Sequence, residues 1–215
     1  MVVSDLLPLE RSFYERPTPE VARDLLGCVL VRDSSLDGGA RWGVIVETEA
    51  YTGAEDPASH AARGPTPRNQ VMFGEVGLAY VYFIYGCHHC FNVVAHPPGQ
   101  AGAVLVRALA PLARGPGLLC KELSIDRGFT GWDLTRPSQL WIGSPGCQSG
   151  SLERGLSILS GTRVGIRKAV DRPWRFWVDG NRWVSGKAGR GQGSAVEPAI
   201  PRRTGRPGQG PEESI

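Results

Sequence analysis

The sequence predicts a single globular domain that mixes β-hairpins with short helices, and three observations carry that expectation. A chain of 215 residues with 41% hydrophobic content can bury one substantial core but would be stretched to build two domains. A short amphipathic helix near the start leads straight into two β-forming runs joined by a glycine turn. A second pair of β-forming runs, rich in tyrosine, flanks Gly86.

The elements follow in order. From Pro17 to Leu26, opening with Thr18-Pro19-Glu20, the pattern is that of a capped short helix. Its Val21, Ala22, Leu25 and Leu26 form an apolar stripe, and Gly27 ends it. Cys28 to Arg32 is a short strand, Asp37-Gly38-Gly39 a turn, and Arg41 to Ala50 the next strand. Thr52 to Pro67 has no periodicity and reads as a long ordered loop or a loop with helical turns. Leu78 to Ile84 and Cys90 to Ala95 form the second hairpin, with Tyr85-Gly86 at its tip. Ala103 to Leu109 is an apolar strand interrupted only by Arg107, which calls for a carboxylate partner. Gly117 to Leu123 is a candidate helix, and Val164 to Arg167 and Trp174 to Val178 are candidate closing strands. Residues 186–215 are rich in Gly, Pro and Arg without apolar pattern and are expected to be a disordered tail after a domain spanning 1–185.

Composition narrows the function classes. No apolar stretch is long enough to span a bilayer, and the opening residues lack a basic segment followed by an apolar one, so a soluble protein without an export signal is expected. Five cysteines, an odd number in a chain this long, point to a reduced cytoplasmic setting with free thiols. The formal net charge is +3, but residues 186–215 hold five Lys and Arg against three Glu, so the body is close to neutral. An acidic macromolecule would have to be engaged by a local basic patch.

Several constellations could carry chemistry. The β-period places Ile45, Glu47, Glu49 and Tyr51 on one face of their strand and Val44, Val46, Thr48 and Ala50 on the other. That face is either an ordinary solvated strand surface or a site in which two nearby carboxylates raise one pKa toward the range of a general base. Cys87-His88-His89-Cys90 supplies half of a zinc site, but no second Cys or His pair exists to complete it, and no metal is expected. Tyr80, Tyr82 and Tyr85 could be cross-strand packing, although an aromatic at a hairpin apex is also suited to wedging into a base stack. Arg68 and Asn69 after Pro67 could be a simple turn or a phosphate contact.

Taken together, the runs Val46-Glu47-Thr48-Glu49-Ala50-Tyr51, Asp56 with His60, Thr66-Pro67-Arg68-Asn69, Tyr80-Val81-Tyr82-Phe83-Ile84-Tyr85-Gly86, Asn92 and Val104-Leu105-Val106-Arg107-Ala108-Leu109 resemble the alkyladenine (3-methyladenine) DNA glycosylase family. Weaker similarity reaches from the first helix through Gly115-Pro116-Gly117 to Trp174-Arg175-Phe176-Trp177-Val178 and Trp183-Val184-Ser185. The resemblance implies an α+β fold: a single domain with a curved, mostly antiparallel β-sheet, surrounding helices and a protruding β-hairpin.

The resemblance also implies roles. Tyr85 would fill the gap left by a nucleotide rotated out of double-stranded DNA. Tyr51 and His60 on one side and Tyr82 on the other would hold the extruded base. Glu49 would act as general base on a water that attacks the anomeric carbon, with Arg107 holding water and carboxylate in place. Asn92 would crowd the exocyclic amino group of guanine, and Thr66, Arg68 and Asn69 would meet the DNA backbone. Cys87 departs from the larger apolar residue of relatives beside the wedge. The expected substrates are the cationic alkylated purines 3-methyladenine and 7-methylguanine, with hypoxanthine and ethenoadenine as neutral candidates. None of Lys121, Lys168 and Lys187 lies in the matched motifs, so simple hydrolysis to an abasic site is expected, with no Schiff-base step, no metal and no redox cofactor. A monomer in the cytoplasm, associated with the nucleoid in a bacterium, completes the expectation. The rival is a binding module that keeps the scaffold and stacking tyrosines without cleaving anything.

Overall fold

A computed structural model of the chain describes residues 3–33, 39–145, 155–186 and 194–195. Among the described residues, eleven strands form one antiparallel sheet around β3 (Arg41–Tyr51). One edge of β3 pairs along most of its length with β6 (Ala103–Ala110), while the other is shared by β2 (Val29–Arg32) near its start and β10 (Arg175–Val178) near its end. β6 continues to the hairpin of β4 (Ala79–Ile84) and β5 (His88–Val94), and to the two-residue β7 (Ala113–Arg114). β2 continues to β8 (Leu140–Pro145) and β1 (Leu6–Pro8), and β10 to β9 (Ile158–Gly161) and β11 (Ser194–Ala195). The expected α+β fold with a largely antiparallel sheet is therefore present.

Among the described residues, three short α-helices accompany the sheet: α1 (Arg11–Tyr14), α2 (Thr18–Asp24) and α3 (Pro116–Glu122). The main core joins Val21, Ala22, Leu25 and Leu26, the stripe expected on the first helix, to Ile45, Val104, Val106, Leu109 and Leu119. The Thr18 hydroxyl does not cap its helix. It donates instead to Ala95 O at 2.8 Å, tying the helix start to the end of the hairpin.

One irregular step in the sheet shapes everything around it. The β3–β6 ladder pairs Ile45 with Leu109, Glu47 with Ala108 and Thr48 with Val106, so Val46 and Arg107 have no directly paired residue across the ladder. Bulges re-aim side chains, and both strands turn over here. Ile45 and Ala50 lie in the same core, as do Leu109 and Val106, although strict alternation would separate each pair. The expected face therefore holds from Glu47 to Tyr51, but Ile45 does not belong to it.

Other expectations need correction. Val164 to Arg167 is a turn and bend, not a strand, because Gly165 adopts φ 78° and the Val164 amide bonds a side chain. The 28–51 hairpin is present, but Asp37 and Gly38 of its predicted turn lie outside the described residues, as does Cys147. Most of the expected tail, 187–193 and 196–215, also lies outside them. Ser194 and Ala195, within that expected tail, pair with Ser160 and Leu159. Among the described residues no helix is long and apolar enough to cross a membrane.

Candidate active site

The second half of β3 delivers Glu47, Glu49 and Tyr51 beside Leu105 and Arg107 of β6, beneath the β4–β5 hairpin. Glu49, Tyr51, His60, Tyr80, Tyr82, Asn92 and Arg107 line a cavity of about 610 Å³ that extends to Tyr85 at the hairpin tip. Seven of the site residues expected from the sequence thus converge on one chamber: Glu49, Tyr51, His60, Tyr82, Tyr85, Asn92 and Arg107.

The two carboxylates are held differently. Both are 0% exposed. Glu47 Oε1 accepts hydrogen bonds from Arg107 Nε and Arg175 Nε, each at 2.8 Å, and from Ser185 Oγ at 3.0 Å, while Oε2 accepts from the Ser185 amide at 2.7 Å. Arg107 Nη2 closes the network by donating to Ser185 Oγ at 3.0 Å. The Arg within the apolar strand has thus found its carboxylate, and the nearest one is Glu47.

Glu49 lies at the cavity wall. The Tyr51 hydroxyl donates to its Oε2 at 2.8 Å, the Val164 amide donates to Oε1 at 2.6 Å, and Arg107 Nη1 stands 3.4 Å from Oε1. Burial pushes the Glu49 carboxyl above the ordinary carboxylate range, against the opposing pull of Arg107 and of the two hydrogen bonds, with Glu47 adding a smaller push in the same direction as burial. A buried carboxylate with a raised pKa and a cation at its edge is suited to take a proton from water.

The aromatic walls meet around this group. His60 Nδ1 and the Tyr80 hydroxyl share a hydrogen bond of 2.8 Å, and the His60 ring meets Tyr82 edge-on at 4.6 Å between centroids. Burial, then the positive charge of Arg68, lowers the His60 pKa, so its imidazole is neutral at neutral pH. Burial and then Glu49 raise the Tyr51 pKa, so its hydroxyl stays a donor. Asn92 is buried, and its amide nitrogen donates to Tyr80 O at 2.9 Å and Cys90 O at 3.3 Å, which fixes the side chain in place.

Above the cavity, Tyr85 is 85% exposed. It and Gly86 have φ of 53° and 67°, and Cys87 N donates to Ile84 O at 3.3 Å, the pattern of a type I′ turn. A non-glycine residue in this left-handed region costs about 1–2 kcal/mol. Cys87 is exposed in this turn whereas Cys90 is buried at the cavity, so the two thiols occupy different environments.

Arg68 is exposed at the side of the hairpin, donating to Phe83 O at 3.2 Å with its guanidinium 5.6 Å from the Tyr82 ring centroid. Asn69, expected at the DNA backbone, is buried and wholly engaged: its oxygen accepts from the Thr66 amide and hydroxyl, and its nitrogen donates to His60 O at 2.7 Å and Gly64 O at 3.2 Å. Asn69 and Thr66 therefore brace the loop that carries His60. Sequence reasoning missed Arg163, Arg175 and Ser185 as parts of the site. Arg175 and Ser185 stood in runs of weaker similarity without a role, and Arg163 carried no local signal.

A family model described as methylpurine-DNA glycosylase (MPG) matches residues 12–182. The chain is 46% identical over 190 residues to a protein of Anaeromyxobacter dehalogenans strain 2CP-C, covering 83% of this chain and 87% of that one. It is 45% identical over 189 residues to one of Myxococcus xanthus strain DK1622, covering 82% and 93%, and 44% identical over 199 residues to one of Carboxydothermus hydrogenoformans, covering 83% and 99%. All three relatives bear the name "Putative 3-methyladenine DNA glycosylase".

Proposed function

Because this chain belongs to the methylpurine-DNA glycosylase family, we propose that it removes 3-methyladenine from damaged DNA by hydrolysing the N-glycosidic bond, with Glu49 as general base. The observation that carries the assignment is the buried Glu49 carboxylate, hydrogen-bonded by Tyr51 and Val164 with Arg107 3.4 Å away, at the wall of an aromatic cavity.

The chemistry follows from these groups. The damaged nucleotide leaves the duplex and enters the cavity, while Tyr85 fills the space it vacates, at a cost of a few kcal/mol of unstacking that poor pairing reduces. Tyr51, His60 and Tyr82 enclose the base. Water attacks the anomeric carbon, Glu49 takes its proton, and the bonding electrons depart with the purine, leaving an abasic site. A cationic alkylpurine leaves as a neutral molecule and needs no acid, and the electron-rich faces of the walls favour it. The neutral state of His60 supports this reading, since an imidazolium would repel a cationic base.

Finer assignments follow the same reading. Asn92, held by both amide hydrogens, cannot swing aside and so obstructs the exocyclic amino group of guanine. Arg68 is the candidate phosphate contact. 7-Methylguanine, also cationic, belongs to the same substrate class, whereas hypoxanthine and ethenoadenine would need acid assistance. Lys121 and Lys168 are exposed and neither lines the cavity, which supports hydrolysis without a Schiff base; Lys187 lies outside the described residues. Borohydride should accordingly trap no protein–DNA adduct.

The test is release of free base from methylated duplex DNA by wild type and by Glu49→Gln. Release by wild type with its loss in the variant supports the assignment. Failure of wild type to release base would sink the activity, and full activity of the variant would sink the role of Glu49.

A further inference from the structure

Arg163 stands outside every motif considered above, yet its side chain is fully buried behind the ring of Tyr51. Its Nη1 and Nη2 grip the two oxygens of Asp56 at 2.5 and 2.8 Å, a bidentate pair sealed from solvent on both sides. Nη1 also donates to Ala50 O at 2.8 Å, the carbonyl between Glu49 and Tyr51. The guanidinium carbon lies 4.6 Å from the Tyr51 ring centroid and 5.3 Å from that of Trp174. Arg163 is followed directly by Val164, whose amide donates to Glu49 Oε1.

We infer that Arg163, clamped by Asp56, is a positioning residue for the general base, because it sets the places of both groups that hydrogen-bond Glu49: the Tyr51 hydroxyl and the Val164 amide. The inference rests on the proposed role of Glu49. The ring of Tyr51 is fixed from behind, the backbone between Glu49 and Tyr51 is fixed through Ala50 O, and the turn bearing Val164 is fixed through the side chain one residue before it. Asp56 in turn accepts from the Thr52 amide at 3.3 Å and the Ala58 amide at 3.2 Å, so the clamp is anchored in the loop leading to His60.

Stability alone does not call for this arrangement. A buried ion pair gives little net gain over an apolar pair of similar volume, and Arg163 Nε has no hydrogen-bond partner among the described residues. An apolar pair could not direct a flat cation onto the Tyr51 ring while bonding Ala50 O. The planar fork of Arg can do both at once, and the single ammonium of Lys cannot.

The clamp has a signature that plain packing lacks. Hydrogen bonds to a carboxylate favour its ionised form, so two well-placed donors hold the Glu49 pKa below the level burial alone would set. Loosening them lets that pKa rise, and the acidic limb of the base-release profile moves to higher pH.

The experiment measures single-turnover release of base from methylated duplex DNA against pH for wild type, Glu49→Gln, Arg163→Gln and Arg163→Lys, together with affinity for an abasic-site duplex. For Arg163→Gln the expected result is a rate loss of about tenfold or more at neutral pH, with the acidic limb moved up by roughly half a unit or more. Affinity should stay within about twofold, and Arg163→Lys should recover only part of the rate. A limb that stays in place, whether or not the rate falls, overturns the positioning role. If Arg163→Gln does not fold, Asp56→Asn/Arg163→Gln keeps a neutral hydrogen-bonding pair and Tyr51→Phe removes one donor directly. Both must then shift the limb upward, and an unmoved limb in either overturns the inference. Absence of release by wild type, or full activity of Glu49→Gln, would instead remove the reading on which it rests.

Discussion

Glu47 and Glu49 lie two residues apart on one strand, both excluded from solvent, and they do opposite things with a buried charge. Glu47 is saturated: two guanidinium groups, an amide and a hydroxyl occupy its oxygens. Glu49 receives two neutral donors and one cation 3.4 Å away. A carboxylate paired in full holds structure together, whereas one paired in part keeps the ability to accept another proton. The surroundings, and not the residue type, set these two identical side chains apart.

Substituting Glu49, the proposed general base, should have the strongest consequence. Glu49→Gln should lower base release by about 10²–10⁴-fold, the range of a general base, while leaving affinity for damaged duplex nearly intact. Its stability should move the other way. The folded-state pKa of Glu49 is raised, so its favourable contribution is present below the ordinary carboxylate pKa and is lost as pH rises through the higher folded value. Glu49→Gln should therefore match wild type in thermal midpoint at acidic pH and exceed it at neutral pH. A lower midpoint at neutral pH would mean that burial does not raise the pKa of Glu49.

Glu47→Gln should show the converse. Removing one partner of a buried ionic network costs about 3–5 kcal/mol, so denaturant unfolding should report a large loss of stability. Base release measured where the variant remains folded should fall only as far as Arg107 is displaced. A stable Glu47→Gln with activity as low as that of Glu49→Gln would exchange the two roles.

The pH profile sharpens the contrast further. Release by wild type should rise with pH through an acidic limb lying above the usual carboxylate range, and Glu49→Gln should abolish that limb. A limb at the ordinary Glu value would mean that burial does not govern this group.

The smallest effects belong at the hairpin tip, which takes no part in the carboxylate network. Tyr85→Ala should weaken binding to lesion-containing duplex by about 1–3 kcal/mol, the value of one aromatic stack. Tyr85→Gly should do the same while gaining up to about 1 kcal/mol of stability, because glycine tolerates the positive φ at that position. A titration of binding together with an unfolding curve separates the two.

How much of this was readable beforehand depended on how local each signal was. The hairpins around Gly39 and Gly86 announce themselves through alternating β-formers and glycine turns. Val164 to Arg167 looked like a strand because Val and Ile are β-formers, but Gly165 turns the chain there and the Val164 amide serves Glu49. β8 went unread because it contains Gly143, whose smallness is a demand of packing: a Cβ there would stand 2.6 Å from the Trp141 ring and 3.1 Å from Leu6. The site residues on β3, β4 and β6 lay in contiguous motifs. Arg163 did not, since its partner Asp56 is 107 residues away and the pair exists only once the chain has folded. Asn69 shows a different limit of local signal: its motif is visible in the sequence, but only the geometry reveals that its side-chain amide is bonded within the loop beside it.

The irregular step at Val46 and Arg107 has a consequence for the route by which the molecule is made. Below the helices, Val104 and Val106 face the core while Leu105 and Arg107 face the cavity. A slip of one residue between β3 and β6 would exchange these sets and drive a guanidinium into the apolar interior without its carboxylates. A misaligned sheet is thereby disfavoured, so the groups proposed to break the sugar–base bond also specify the register of the sheet that carries them.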